Sequence, residues 1–296
     1  MSTASGAAVV VGVDGSACSL AAVRAAAVDA ADRGRPLRIV HAFIWAELSG
    51  PDGGIVYGPH DTRMRAEAER ILAEAVIEAE KAASGVQTTA AVVDGNPASV
   101  LIGESRHAVL LVIGDRGLGG FRSLLLGSVA VHTTAYAACP VLVVRGEQHA
   151  TGPVVVGVDG SAESVSAIGF AIEHAARRKT GLTAVLAWDA FDSLVQKDIL
   201  PLVHEPGTLE DELHRVLSES LAGWAQRYPD VAIQQELVHG RPAAALIERS
   251  QDAQLLVTGS RGRGGFAGLL LGSVSHPVLH HARCPVAVVR GSSSAD

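Results

Sequence analysis

The sequence predicts an α/β protein of two tandem doubly wound, five-stranded parallel-sheet domains. Three observations predict it: an internal duplication, short apolar runs alternating with helical patterns, and an apolar excess without a membrane-length run. The chain has 296 residues, 48% of them hydrophobic but only 4% aromatic, with 32 glycines. At roughly 100–200 residues per domain this length suggests two domains. Mean hydropathy is +0.28, yet no apolar run reaches the ~18–20 residues of a membrane helix. Such an excess points to strands buried on both faces, as in parallel sheets covered by helices.

The duplication is ungapped over its key segments. At an offset of 145 residues, Val9 to Ala17 (VVVGVDGSA) falls on Val154 to Ala162, identical at nine positions of nine. Between positions 110 and 129, 15 of 20 residues match their partners, and Cys139-Pro140-Val141 falls on Cys284-Pro285-Val286. Each half is large enough to own a core. The expected domains are 1–146 and 153–296, joined by a polar linker at 147–152.

The elements follow in order. Residues 9–13 read as a buried strand, and 16–33 as an Ala-rich helix stopped by Gly34. A second strand at 37–41 leads into a Gly/Pro loop from about 49 to 59. Positions 63–83 form a long helix, with Glu and Arg on one side and Ile71, Leu72 and Val76 on the other. Then come a strand at 86–93, a helix at 97–105 opened by Pro97, and a strand at 109–113. A helix at 128–137 and a strand at 141–144 close the first copy. In the second, strands are expected at 154–158, 182–187, 231–238, 255–258 and 286–289. Pro277 falls in the first turn of the last helix, where its ring is tolerated. Right-handed crossovers then give parallel sheets with helices on both faces.

A net charge of −7 and an isoelectric point near 5.9 argue against a nucleic-acid partner. The first residues carry no basic stretch ahead of their short apolar run, which reads as no signal peptide. Cys18, Cys139 and Cys284 show no CxxC and no metal spacing, as expected of reduced thiols in a cytoplasmic protein.

Doubly wound sheets bind ligands beyond the carboxyl ends of their strands, where strand order reverses. Two features sit there in each copy. Asp14, and its counterpart Asp159, follow the first strand just after Gly12 and Gly157. Such a carboxylate accepts a ribose hydroxyl or an adenine amino group; equally, it caps the next helix with help from Ser16. After the fourth strand comes a glycine loop. It comprises Gly114, Asp115, Arg116, Gly117, Leu118, Gly119 and Gly120, then Gly127, Ser128 and Val129. Its counterpart comprises Gly259, Ser260, Arg261, Gly262, Arg263, Gly264 and Gly265, then Gly272, Ser273, Val274 and Ser275. Glycines let amides turn toward an anion without a Cβ in the way, and a helix start favours negative charge. Arg116 and Arg261 either touch phosphate or ribose or are solvated loop arginines.

Three differences between copies predict a tighter second site. Asp115 places a like charge where Ser260 stands, Leu118 replaces the cation Arg263, and Ala130 replaces the hydroxyl of Ser275.

At these residues the chain resembles the universal stress protein family, in its tandem two-domain, actinobacterial type. The ATP-binding pattern G-x2-G-x9-G-[ST] is met by Gly114, Gly117, Gly127 and Ser128, and by Gly259, Gly262, Gly272 and Ser273. The V-G-V-D-G-S opening and the C-P-V ending match as well, so the resemblance spans essentially the whole chain. It implies a Rossmann-like domain of strand order 3-2-1-4-5 binding ATP with Mg²⁺. Asp14 and Asp159 would meet the adenosine. The backbone of Val40, His41 and Ala42, and of Val185, Leu186 and Ala187, would contact adenine. The loops and serines would hold the phosphates. The resemblance also implies antiparallel pairing of the fifth strands, 141–144 with 286–289, and a homodimer.

No enzymatic signature accompanies this pattern. The chain lacks a G-x4-G-K-[ST] loop, and no His or Glu stands beside the glycine loop in both copies to act as general base. The expected function is a nucleotide-dependent stress-response regulator that orders its loops for a protein partner. The alternatives are a cyclic AMP-binding regulator, a slow ATPase or phosphotransferase, and a docking protein with vestigial pockets. His276, His280 and His281 share a helix and read as a metal group or as cations near a helix end. Cys139 and Cys284 read as small hydrophobes, and Trp45, Trp188 and Trp224 as core or loop lining.

Overall fold

A computed structural model describes residues 7–43, 59–118, 126–147, 149, 151–189, 208–262 and 270–291. The chain divides into two compact units, Met1–Val144 and Arg145–Asp296. Among the described residues, the first unit has five strands: β1 (Ala8–Gly12), β2 (Leu37–Phe43), β3 (Thr88–Asp94), β4 (Ala108–Gly114) and β5 (Val141–Val144). They pair in parallel in the order β3-β2-β1-β4-β5. The second unit repeats this with β6 (Val154–Gly157), β7 (Leu182–Trp188), β8 (Ile233–His239), β9 (Leu255–Gly259) and β10 (Val286–Val289). Their order, β8-β7-β6-β9-β10, is the same 3-2-1-4-5 arrangement, again parallel. Register repeats too, since Val9 pairs with Leu37 and Val154 with Leu182. The order reverses between β1 and β4, and between β6 and β9, so a crevice belongs at those strand ends.

Helices of the first unit are α1 (Ala17–Arg33), α2 (Pro59–Ala82), α3 (Pro97–Ser105) and α4 (Ser128–Tyr136). Those of the second are α5 (Ala162–Arg178), α6 (Thr208–Leu221), α7 (Trp224–Arg227), α8 (Pro242–Arg249) and α9 (Ser275–His281). The contacts of α1 with α2, and of α3 with α4, put one pair on each face of the sheet. The face of α1 against the sheet is small: Ala22, Val23, Ala26, Ala27 and Ala30 are fully buried. Small side chains bring its axis close to Val9, Val11, Leu110 and Val112, fully buried on that face of the sheet.

Caps follow the sequence. Ser16 accepts from the Ser19 amide at 3.1 Å and Ser161 from the Ser164 amide at 3.2 Å, starting α1 and α5. Gly34 ends α1 in the left-handed region (φ 60°), as expected. At the same repeat position α5 ends on Lys179 at φ 53°, a conformation that disfavours a Cβ.

Several expected boundaries move, β2 running on to Phe43 and β8 beginning at Ile233 among them, and three further shifts are instructive. The long helix begins at Pro59 rather than 63, because a proline is suited to a first helical position rather than to the end of a loop. The third strand starts at Thr88, after a turn at Gly85 (φ 82°). The last helix begins at Ser275, not at Ser273. Pro277 has no N–H to give the Ser273 carbonyl, whereas His132 stands at the equivalent place in α4, which does begin at Ser128. No helix among the described residues is long and apolar enough to cross a membrane.

Candidate functional site

The junction beyond β1 and β4 is built from the strand end outward. Gly15 turns the chain at φ 84°, and Gly160 does so at φ 75°. This turn aims the preceding carboxylate back at its own helix. Asp14 Oδ1 accepts from the Ser16 amide at 3.0 Å, and Asp159 Oδ1 accepts from the Ser161 amide at 2.9 Å and hydroxyl at 2.6 Å. The second oxygen of Asp14 reaches the glycine loop, accepting from the Leu118 amide at 2.8 Å. Gly117 lies so close that a Cβ there would collide with Asp14 Oδ2, and a Cβ at Gly262 would sit 2.5 Å from Asp159 Oδ2. In each copy, therefore, one carboxylate joins the end of the first strand, the start of the next helix and the loop after the fourth strand. Burial pushes the Asp14 carboxyl up, but the hydrogen bonds from Ser16, Leu118 and Ser19 outweigh it and leave it below its ordinary value.

The loop closes on the next segment. The Gly127 amide donates to the Asp115 carbonyl at 2.8 Å, and the Gly272 amide to the Ser260 carbonyl at 2.9 Å. Ser128 and Ser273 are exposed at the rim; Val129 and Val274 are half-buried. No side chain caps the amide end of α4, where Gly127 precedes the first turn. Arg116 and Arg261 are exposed, Arg116 lying 3.5 Å from Asp115 Oδ2. On the other flank, β1 pairs with β2 only as far as Gly12 with Val40, so His41, Ala42 and Phe43 run on beyond it. The same overhang leaves Leu186, Ala187 and Trp188 beyond β6. A ring nitrogen of His41 lies 2.8 Å from the Val13 carbonyl, which can only accept, so Nδ1 carries the proton.

Several of the expected contact residues also have a role within the fold. Gly12 and Gly157 are clearances for a helix: a Cβ at either would lie 2.9 Å from Leu101 of α3 or Leu246 of α8. Gly114 similarly admits Cys18, and Gly259 admits Glu163, from the first turns of α1 and α5. Val40 and Val185 are buried, and their carbonyls accept from the Val13 and Val158 amides at 2.9 Å, within the sheet. The Ser275 hydroxyl is buried and donates to the carbonyls of Ser260 (3.1 Å) and Gly272 (3.3 Å), bracing the loop from within. Gly119, Gly120, Arg263, Gly264 and Gly265 lie outside the described residues, as does Trp45.

The like-charge argument from Asp115 also changes. Its side chain is buried beside the Cys18 thiol, whose ionisation is pushed up by burial and by that carboxylate. At the equivalent positions stand Ser260 and Glu163, with Glu163 packed on Gly259 and Gly291. Besides Asp14 or Asp159, each copy therefore has one further acid here, on the loop in one and on the helix in the other. Sequence reading also missed Ser19 and Ser164. Their hydroxyls donate to the Ser16 and Ser161 carbonyls, both at 2.9 Å, and their only advance signal was repetition at the 145-residue offset.

The remaining candidates are structural. Trp224 covers Gly169, and Trp188 meets His239 edge-on with ring centroids 4.6 Å apart. His276 and His280 rings lie 4.6 Å apart, and burial and then the neighbouring histidines hold the His280 imidazole below its ordinary value. No group of three or more His, Cys, Asp or Glu among the described residues is placed to hold a metal ion.

This geometry defines a class: a duplicated doubly wound α/β protein with a glycine loop at each strand-order reversal. The chain belongs to the universal stress protein family, whose model matches residues 7–145 and 151–290. It is similar to the universal stress proteins Rv2623 (38% identical over 296 residues, 96% of each chain) and Rv2005c (39% over 303 residues, 96% of this chain and 97% of that one) of Mycobacterium tuberculosis. Among solved structures, a universal stress protein from Archaeoglobus fulgidus DSM 4304 matches with a TM-score of 0.70 at 21% identity. That match covers 97% of this chain and 99% of the other, and it bears on fold alone.

Proposed function

We propose that each unit binds one adenine nucleotide, ATP with Mg²⁺, and that occupancy is the signal of a non-catalytic regulator. The observation that supports this most is the junction built twice, in which a carboxylate and a glycine loop meet at the reversal of strand order. The base would lie along the overhanging ends of β2 and β7, where His41 to Phe43 and Leu186 to Trp188 pass beyond their neighbours. The phosphates would lie over Gly117 and Gly262 toward Ser128 and Ser273. With no carboxylate cage among the described residues, the metal would enter held by the phosphates and its own waters, as Mg²⁺ commonly does. Among the described residues of the first junction, Asp14 is held on both oxygens and a ring nitrogen of His41 is held by Val13, which favours binding over general-base catalysis. The second site is the tighter one. Its advantage now rests on Arg263 and on the brace from Ser275, since each copy carries one further acid beside Asp14 or Asp159.

Calorimetric titration of the ligand-stripped full chain with ATP, with and without Mg²⁺, tests the reading. Two unequal events are expected, the stronger one weakened by Arg263→Leu. Absence of heat with every adenylate refutes nucleotide binding. Steady multiple turnover of ATP, abolished by Ser273→Ala, refutes the non-catalytic part.

A further inference from the structure

We propose that Asp14 and Asp159 are positioning residues that clamp the glycine loop onto the strand end, so that they set affinity for the phosphate chain rather than for the nucleoside. The argument starts from an accounting of the carboxylate. In the first copy Oδ1 is held by the Ser16 amide and Oδ2 by the amide of Leu118, 104 residues away in sequence. The second bond joins the strand end to a loop distant in sequence, beside the contact of Asp115 with Cys18. Ser16 Oγ adds only a long 3.5 Å approach to the Arg116 carbonyl.

The neighbouring glycine reports the same closeness independently. A Cβ at Gly117 would collide with Asp14 Oδ2, and one at Gly262 would stand 2.5 Å from Asp159 Oδ2. Gly117 is not at positive φ, so its lack of a side chain answers to the carboxylate rather than to backbone twist. The loop thus lies on the acid in both copies. Leu118 itself is 72% exposed, so its amide rather than its side chain holds it to the strand end. Loop amides that would face an anion are held in place before it arrives, which lowers the ordering cost of binding. Ser19 supports the clamp from below, its hydroxyl donating to the Ser16 carbonyl at 2.9 Å.

Only the ligand half of the test rests on the nucleotide reading above. In the full chain, Asp14→Asn with Asp159→Asn replaces one carboxylate oxygen of each pair by an N–H donor that opposes the loop amide. Adenosine and ATP are titrated into wild type and double variant, and amide hydrogen exchange is followed at Leu118 without ligand. We expect ATP to weaken about 30-fold, the worth of roughly one charge-assisted hydrogen bond. Adenosine should stay within about twofold on the same basis, and the Leu118 amide should exchange faster. Equal weakening of adenosine and ATP would place the carboxylates at the nucleoside and overturn the proposal, as would unchanged exchange at Leu118. A wild-type chain that binds neither ligand refutes the nucleotide reading; exchange at Leu118 then decides the clamp alone.

Discussion

Adding one methyl group at Gly262 or Gly117 probes the junction most directly. In Gly262→Ala the new Cβ would stand 2.5 Å from Asp159 Oδ2, closer than carbon and oxygen can approach. Either Asp159 swings off the Ser161 amide and hydroxyl, at 2.9 and 2.6 Å, or the loop retreats from the strand end. In Gly117→Ala the second course breaks the 2.8 Å bond from Leu118 to Asp14. Losing one hydrogen bond to a carboxylate costs about 2 kcal/mol, or roughly 30-fold in affinity. Gly103→Ala is the control: its Cβ would meet nothing within 4 Å, and alanine should stabilise α3 by about 0.5–1 kcal/mol with no effect on binding. Calorimetry with ATP on the full chain, beside thermal unfolding of each variant, separates the two effects. Wild-type ATP affinity in both Gly117→Ala and Gly262→Ala would refute the reasoning, because the loop would then not lie on the acid.

Other expectations concern the fold. Lys179→Gly should raise stability by about 0.5–1 kcal/mol by relieving the left-handed residue at φ 53°, and Gly34→Lys should lower it similarly; urea unfolding gives the sign for each. The thiols of Cys139 and Cys284, pushed up to about 12 by burial, should resist alkylation at pH 8 until the chain unfolds, leaving Cys18 as the thiol labelled in the native protein; peptide mapping checks this. The Asp14 carboxyl lies below its ordinary value when folded. Its contribution is therefore present above about pH 4 and lost as pH falls through the folded value. The stability gap between wild type and Asp14→Asn should shrink on acidification, measured by denaturant unfolding from pH 6 to pH 3.

Much of this architecture could be read in the sequence because the chain states it twice. Val9 to Ala17 and its copy are identical, so strand, turn and helix cap carry over together, and the register of β1 on β2 reappears in β6 on β7. The position of the crevice followed from strand order. Individual roles were harder to read. Gly12 and Gly117 both look like residues leaving room for a ligand, yet one leaves room for Leu101 and the other for Asp14. A missing Cβ is the same letter whichever atom fills the space. Likewise Ser275 looked like a ligand hydroxyl until its burial turned it toward Ser260. The partner of Asp14 escaped notice because it is a backbone amide, which any residue at position 118 supplies.

The paired exchange of Cys18 and Asp115 for Glu163 and Ser260 bears on how the two halves diverged. Changing one position alone would bring two acids together at this corner or leave it with neither of the two. A hybrid made by swapping only the helix or only the loop therefore inherits half of each solution. Once such a trade is made, the halves cease to be interchangeable parts even where their remaining letters agree.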